Sequence, residues 1–240
     1  MKKYDCIGII GAMEEEIYLI RKALNDFTVT EIGGILFFSG TLSGVSVVAA
    51  VSGIGKVNMA QCSTIMILNF GVDLIINTGV AGSLNSYVKP GNTVIASSLA
   101  QHDFDLTPLG ETIGTIPEVG RILKADSSLV EFSMDTITSS PIKGNFIQGL
   151  IVSGDQFVEE NRKKQILSNF NDALCAEMEG ASLAHICIKF NIDFLVIRTI
   201  SDSADGSSPM DYADFKVLAA DKAASLVRYL INEISFKHTA

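Results

Sequence analysis

Acidic side chains stand directly after several of the apolar segments that this sequence predicts as strands, and their residue types suit proton transfer. Five polar groups have this placement: Glu14 to Glu16, Gly79 to Gly82, Ser153 to Phe157, Glu177 to Glu179, and Arg198 to Asp202. In sheets with parallel strands, ligands bind beyond the carboxyl ends of the strands. Paired carboxylates suit cleavage of a glycosidic bond, because one protonates the leaving group while another activates water.

The segment from Asp193 to Asp202 is the most informative of the five. Its apolar part predicts a strand buried on both faces, yet it contains Arg198 and ends on Asp202. Charged side chains are almost never buried without a partner. This segment alone therefore leaves two interpretations open: an internal salt bridge with a helix cap, or a ligand site.

Other catalytic chemistries have little support in the sequence. No Ser-His-Asp or Cys-His arrangement is recognisable, and the pattern around His185 is typical of a core histidine. A metal site built from His102, Asp103 and Asp105 is disfavoured because no further ligand stands at a suitable spacing. The Ser52–Lys56 segment lacks the spacing of a phosphate-binding loop.

Composition limits the class of protein. The chain has 240 residues and a formal net charge of −9, which disfavours nucleic acid as a partner. No window approaches 18 uninterrupted apolar residues, so we expect no membrane span and a soluble, cytoplasmic protein. The four cysteines stand in apolar contexts without a C-x-x-C pair, which indicates reduced core thiols.

Strands alternate with helices along the whole chain, which predicts an α/β fold. We expect a single domain over residues 1–240, with three α/β/α layers around a mixed, largely parallel central sheet. The pattern also predicts a glycine-rich turn at Gly79–Gly82, a long excursion from Gln101 to Pro117, and a last helix over Met210–Ile234 followed by a dispensable tail, Lys237–Ala240.

Six ordered motifs resemble those of the 5′-methylthioadenosine/S-adenosylhomocysteine nucleosidases, in the purine nucleoside phosphorylase/hydrolase superfamily. The motifs are Gly8–Glu16, Ser52–Val57, Asn77–Gly82, Val152–Phe157, Glu177–Glu179 and Arg198–Asp202. The resemblance spans nearly the whole chain. It implies a homodimeric enzyme that hydrolyses the adenine–ribose bond of 5′-thioadenosines without a cofactor.

The resemblance also implies a role for each matching residue. Glu16 matches the glutamate that activates the attacking water, and Asp202 matches the acid that donates a proton toward adenine N7. Glu179 matches the residue that binds the ribose hydroxyls, with Arg198 positioning the glutamates and the water. The further substrate-binding positions implied are Met13, Ile54, Ala81, Gly82, Phe157, Val158, Glu177, Met178, Ser201 and Tyr212, and a partner subunit would supply Leu106, Leu109 and Pro117 to the tail pocket.

Three positions depart from the family pattern, and three alternative functions stay open. Val80 stands where related hydrolases often carry a hydroxyl, while Leu109 and Tyr212 stand where Phe is common. The alternatives are an aminodeoxyfutalosine hydrolase, a nucleoside phosphorylase of the same fold, and a thioadenosine sensor without turnover. A phosphorylase is disfavoured because Asn77 stands where those enzymes typically carry an arginine.

Overall fold

A computed structural model describes residues 2–202 and 209–239, with the backbone alone described for residues 209–214 and 237–239. Apolar segments form strands, and the segments between most of them form helices. The strands are β1 (Cys6–Gly11), β2 (Asn25–Ile32), β3 (Ile35–Leu42), β4 (Val45–Val51), β5 (Leu74–Ser83), β6 (Thr93–Gln101), β7 (Leu123–Lys124), β8 (Phe146–Ser153), β9 (Ala173–Glu177) and β10 (Asp193–Asp202). The helices are α1 (Glu14–Ala23), α2 (Lys56–Phe70), α3 (Ser127–Thr138), α4 (Glu160–Asn169), α5 (Gly180–Phe190) and α6 (Pro209–Thr239), and a 3₁₀ turn spans Thr107–Leu109.

The strands form one mixed sheet, as the sequence predicts. Its order is β10-β6-β8-β9-β5-β1-β4-β3-β2, with β7 paired to β6. Strand β10 also pairs in parallel with β5, so that β5, β10, β6, β8 and β9 close into a ring. Parallel pairing of β4, β1, β5 and β10 brings the carboxyl ends of these strands to one edge.

Both faces of the sheet are covered, which explains the unbroken apolar character of its central strands. In β1, Ile7 and Ile9 belong to the core cluster that includes residues of α1, α3 and α6. Ile10 points the opposite way, into the cluster built with residues of α2 and α5. Because side chains alternate along a strand, both sets must be apolar. The predicted helix–sheet–helix layering is therefore confirmed.

The predicted turn at Gly79–Gly82 is wrong, because these residues continue strand β5. Ala81 pairs with Ile200 on β10, and Gly82 pairs with Asp202 on one side and Ala176 of β9 on the other. Pairing with β10 along the whole segment, and with β9 at Gly82, keeps it extended despite its two glycines. The local sequence could not predict this pairing, because it involves strands that are distant in the sequence.

The last helix is longer than predicted. Its backbone runs from Pro209 to Thr239, so the predicted tail is helical up to Thr239. Apolar residues such as Leu226, Leu230 and Ile234 recur at helical spacing and are buried against the sheet. Within the described residues, no helix combines the length and apolar character that a bilayer crossing needs.

Candidate active site

One cavity opens at the carboxyl ends of β1, β5, β9 and β10, and it gathers most of the predicted site. The predicted residues that line it are Met13, Glu16, Ile54, Ala81, Gly82, Phe157, Val158, Glu177, Met178, Glu179, Ser201 and Asp202. Val80, Gln156, Ala12 and Ala176 line it as well. Four carboxyl groups from distant parts of the sequence thus share one cavity, and no Lys or Arg is among the described residues that line it.

Five predicted residues are not among those that line this cavity. Leu109 is 77% exposed, Pro117 is exposed, and Leu106 is partly buried on the same excursion. Arg198 is fully buried behind the cavity wall. The side chain of Tyr212 lies outside the described residues.

Three backbone N–H groups fix the position of the Glu16 carboxyl group. Its Oε2 accepts hydrogen bonds from the amides of Ala12 (2.7 Å) and Met13 (3.1 Å), and its Oε1 accepts one from the amide of Val80 (3.1 Å). Burial nevertheless raises the pKa of Glu16, although Arg198 and these three amides favour the charged form. A buried carboxylate with a raised pKa is a better proton acceptor near neutral pH than an exposed one.

Two glycines make room for this carboxylate. A Cβ on Gly79 would lie 2.6 Å from Oε1 of Glu16, and a Cβ on Gly11 would lie 2.8 Å from the Glu16 Cβ. Neither glycine has a positive φ angle. Their absence of a side chain is therefore required by the close approach of Glu16 rather than by backbone conformation.

Glu179 lies at the start of α5, facing the loop before α2. Its Oε1 accepts a hydrogen bond from the Gly55 amide at 2.7 Å, and its Oε2 is 4.0 Å from Nη2 of Arg198. Burial, with the charge of Glu177, raises the pKa of Glu179 to about 8. Glu179 therefore keeps its proton to a higher pH than an exposed glutamate does.

Arg198 forms an internal ion pair and also holds residues of the site in position. Its Nη2 donates to Glu177 Oε2 and to Asn77 Oδ1, and its Nη1 donates to the Asn77 carbonyl at 3.2 Å. Burial disfavours its charge, but Glu177, Glu179 and Glu16 outweigh that effect and raise the pKa of Arg198. The guanidinium thus balances the buried carboxylates from behind the cavity.

Glu177 carries a dense set of hydrogen bonds. Its oxygens also accept from the Ser153 hydroxyl and from the amides of Glu179 (3.1 Å) and Gly180 (2.8 Å). With Arg198 added, these contacts occupy both oxygens. The geometry suits a fixed carboxylate that orients Arg198 and the start of α5.

Asp202 ends strand β10 at the cavity wall. The Ser201 hydroxyl donates to its Oδ1 at 2.8 Å. Val80 lines the same cavity and donates its backbone amide to Glu16. A serine hydroxyl from the neighbouring position is therefore one polar partner of Asp202 in this chain.

The side of the cavity formed by Phe157 and Val158 is aromatic and apolar. Phe157 is 62% exposed at the mouth, whereas Val158 is buried beside it. An exposed aromatic ring at a cavity mouth offers a flat apolar surface for a planar ligand. Among the described residues, no three His, Cys, Asp or Glu side chains are placed to hold a metal ion.

The sequence did not reveal the contacts of two buried polar residues. Asn77 is fully buried and links the Ile10 carbonyl (2.8 Å from its Nδ2) to Arg198, rather than lining the cavity. Ser153 bridges Glu177 and the amide of Ala181. A polar residue inside an apolar strand was the available signal for Asn77, but its partner follows only from strand pairing.

Comparisons with known proteins agree with this geometry. The family model described as "Phosphorylase superfamily" matches residues 6–232. The chain is 39% identical, over 92% of its length and 95% of the relative's, to a 5′-methylthioadenosine/S-adenosylhomocysteine nucleosidase of an Exiguobacterium species. It also resembles the nucleosidase of that name from Neisseria meningitidis, solved with methylthio-immucillin-A, at a TM-score of 0.92 and 34% identity over 95% of this chain and 99% of that one.

A second structural relative has a different substrate in its name. Futalosine hydrolase of Helicobacter pylori matches at a TM-score of 0.90 and 37% identity, covering 95% of this chain and 98% of that chain. The fold is therefore common to enzymes named for different nucleosides.

Proposed function

This chain belongs to the 5′-methylthioadenosine/S-adenosylhomocysteine nucleosidase family of the phosphorylase superfamily, and from that membership we propose its reaction. It hydrolyses the N-glycosidic bond of 5′-methylthioadenosine, S-adenosylhomocysteine and 5′-deoxyadenosine, and the first two yield adenine and a 5-thioribose product. The observation that carries the proposal is the shared cavity of Glu16, Glu179 and Asp202.

In the proposed mechanism, Glu16 accepts a proton from water as the water oxygen bonds to the anomeric carbon. The bond from that carbon to adenine N9 breaks, and Asp202 delivers a proton toward N7, so that adenine leaves neutral. The sugar passes through an oxocarbenium-like state. Negative charge from Glu16 stabilises this state more than the ground state, which is the requirement for catalysis.

The remaining site residues bind and orient the nucleoside in this proposal. Glu179 accepts hydrogen bonds from the ribose hydroxyls, with Met178 against the sugar. Phe157 stacks on adenine, and the Val158 backbone binds the edge of the base. The apolar side chains of Met13 and Ile54 face the sugar and its 5′-thioether tail.

The wider setting also belongs to the proposal. We expect one nucleosidase domain in a cytoplasmic homodimer that needs no cofactor and acts in methionine salvage and methyl-cycle recycling. Leu106, Leu109 and Pro117 of each chain would then close the tail pocket of the partner. The 77% exposure of Leu109 supports this placement, because a large apolar side chain gains from being covered.

One assay tests the proposal against its rivals. The protein is incubated with 5′-methylthioadenosine, with and without phosphate, and free adenine is measured. We expect adenine without phosphate; a strict phosphate requirement would instead identify a phosphorylase, which the acidic cavity lining disfavours through charge repulsion. No adenine under either condition would contradict the proposal.

An aminodeoxyfutalosine-type nucleoside is the second candidate substrate, favoured by the 37% identity to futalosine hydrolase. The two candidates differ in the group attached to the 5′ carbon, which the tail pocket must accept. Parallel kcat/KM measurements on both nucleosides decide between them, and a higher value for 5′-methylthioadenosine is expected.

The Asp202→Asn variant tests the proposed acid. It keeps the size of the side chain but removes the proton donor, so kcat should fall about 10²–10⁴-fold, while binding of a non-hydrolysable analogue stays measurable. Asp135→Asn, at an exposed position of α3, is the matched control. Near-normal turnover of Asp202→Asn would reject the assignment.

A further inference from the structure

A closed cluster of polar contacts, here called the Lys56 cluster, lies just outside the cavity and consists of Lys56, Gln101, Asp103 and Asp155. Lys56 Nζ is 2.6 Å from Asp103 Oδ1 and 3.2 Å from Gln101 Oε1. The Lys56 amide donates to Asp155 Oδ1 at 2.8 Å, and the Asp155 amide donates to Asp103 Oδ2 at 2.9 Å. No member of the cluster lines the cavity.

The cluster ties together segments that are far apart in sequence. Lys56 begins α2, Gln101 ends β6, and Asp155 follows β8. The Lys56 carbonyl also accepts from the Ser182 hydroxyl at 2.6 Å, which adds α5. The side chains of Lys56 and Asp103 are each only 18% exposed, so solvent screens this pair less than a surface pair.

The backbone approaches closely at this cluster. Gly55 has a φ of +99°, and a Cβ there would lie 3.0 Å from Asp155 Oδ1. A Cβ on Gly154 would lie 2.4 Å from Nε2 of the buried His102. Both glycines let the α2 loop and the ends of β6 and β8 pack against one another.

Both sides of the cavity are attached directly to the Lys56 cluster. On one side, the residue before Lys56 donates its amide to Glu179, the Gly55-to-Oε1 contact of 2.7 Å. On the other side, Asp155 leads directly into Gln156, Phe157 and Val158, which line the cavity. A shift of Lys56 would therefore move the Gly55 amide away from Glu179.

We propose that Lys56 and Asp103 are positioning residues that set the Gly55 amide on Glu179 and fix the sugar-binding carboxylate for the reaction. This inference rests on the proposed function for its kinetic consequence, and on the contacts alone for its structural consequence. Gln101 and Asp103 lie at the start of the excursion that carries Leu106 and Leu109, so the cluster joins that excursion to Glu179.

The kinetic test is a double-mutant cycle between Lys56→Met and Glu179→Gln, assayed by adenine release from 5′-methylthioadenosine. Lys56→Met should lower kcat/KM about 10- to 100-fold, since small misplacements of binding groups have effects of that size. In the Glu179→Gln background the same change should cost less than about threefold, because the two residues act through one contact. Equal losses in both backgrounds would overturn the proposal.

A structural measurement tests the positioning role even if the protein has no activity. Amide hydrogen exchange at residues 55–57 should accelerate about tenfold or more in Lys56→Met. Lys2→Met removes an ion pair to Asp193 far from the cavity and is the matched control, for which no change at residues 55–57 is expected. Unchanged exchange in Lys56→Met would contradict the positioning role.

The two proposals can fail separately. Wild-type protein that releases no adenine would reject the proposed function, and the exchange measurement would still decide the role of Lys56. Should Lys56→Met fail to fold, Asp103→Asn removes the charge of the partner without changing its size. The same kinetic coupling and exchange increase are expected for Asp103→Asn, and their absence would count equally against the proposal.

Discussion

At the scale of single residues, the site depends on how differently its carboxyl groups are surrounded. Glu16 accepts hydrogen bonds from three backbone N–H groups. Glu179 accepts a hydrogen bond from one backbone N–H group and lies beside another carboxylate, Glu177. Burial raises the pKa of both Glu16 and Glu179. In the proposed mechanism, these different partners would allow one of two identical side chains to act on water and the other to bind hydroxyls.

Gly79→Ala should damage catalysis through Glu16 alone. The added Cβ would lie 2.6 Å from Glu16 Oε1, so the carboxylate must move, and kcat should fall about 10- to 100-fold. Steady-state kinetics with 5′-methylthioadenosine measure this effect. Gly144→Ala, at an exposed position where the close contacts of the added Cβ would be with the far end of the flexible Lys222 side chain, is the control and should keep its activity. Full activity of Gly79→Ala would contradict the close approach.

Glu179→Gln should change the pH dependence of stability. The pKa of Glu179 is about 8 in the folded protein against an ordinary value of 4.5, so the folded state binds the extra proton between these values. The free energy of unfolding of the wild type therefore falls as pH rises from about 4.5 to about 8, by at most about 1.4 kcal/mol per pH unit from this group. Because glutamine cannot ionise, the Glu179→Gln variant should not show this decrease in the free energy of unfolding.

Urea unfolding measures the difference in stability between Glu179→Gln and the wild type. The measurements are made at about pH 5, 6.5 and 8, which span the range in which this group titrates. The stability of Glu179→Gln relative to wild type should increase with pH. Glu111→Gln, at an exposed position, should run parallel to wild type and serves as the control. Parallel profiles for Glu179→Gln would show that Glu179 titrates normally.

At the scale of secondary-structure elements, the site depends on the pairing of β5 with β9 and β10. This pairing extends β5 through Gly82 and brings Asn77, Glu177 and Arg198 together in the interior. Arg198 lies within β10 rather than at its end, and its side chain donates hydrogen bonds to Asn77 of β5 and Glu177 of β9. The two interpretations of this strand, internal salt bridge and ligand site, are thus both partly correct: Arg198 pairs internally, and Asp202 reaches the cavity.

Arg198→Met should destabilise the fold strongly. Glu177 would keep its Ser153 and backbone partners but lose its buried cation, and breaking a buried pair costs about 3–5 kcal/mol. Urea unfolding at neutral pH gives the value. The double variant Arg198→Met/Glu177→Gln should recover part of the loss because no unpaired charge remains. A loss below about 1 kcal/mol for Arg198→Met would show that the pair is unimportant.

At the scale of the whole molecule, the excursion after β6 contributes no residue to the cavity of its own chain. Leu109 stands exposed on it, and neither Leu106 nor Pro117 is among the residues that line the cavity. The proposed dimer gives these residues a partner cavity to cover. The Lys56 cluster would connect that contact to Glu179 through Asp103.

Leu109→Glu should weaken the proposed dimer, because a buried charge at an apolar contact is costly. Sedimentation velocity should show a dimer for the wild type and a concentration-dependent shift toward monomer for the variant, with a raised KM for 5′-methylthioadenosine. Val29→Glu, on the exposed strand β2, is the control. A fully active wild-type monomer would contradict the shared pocket.

Much of this organisation followed from the sequence by itself. The patterns that predict strands and helices depend on residues that are neighbours in the sequence, so they can be recognised without the structure. The same is true of the apolar run of β10 and of the carboxylates after β1 and β9. The acidic composition likewise disfavoured nucleic acid as a partner. The α/β fold, its central mixed sheet and most element bounds were predictable for this reason.

The tertiary structure decided what each charged group touches. The ring closed by β5 and β10, the strand conformation of Gly79–Gly82, the placement of Arg198 behind the cavity and the contact from Gly55 to Glu179 all join residues distant in sequence. Burial and hydrogen-bond partners set the pKa of a carboxyl group, and both are non-local quantities. A sequence therefore supplies the carboxylates, while the packing of the chain determines which of them bind, which react and which support the others.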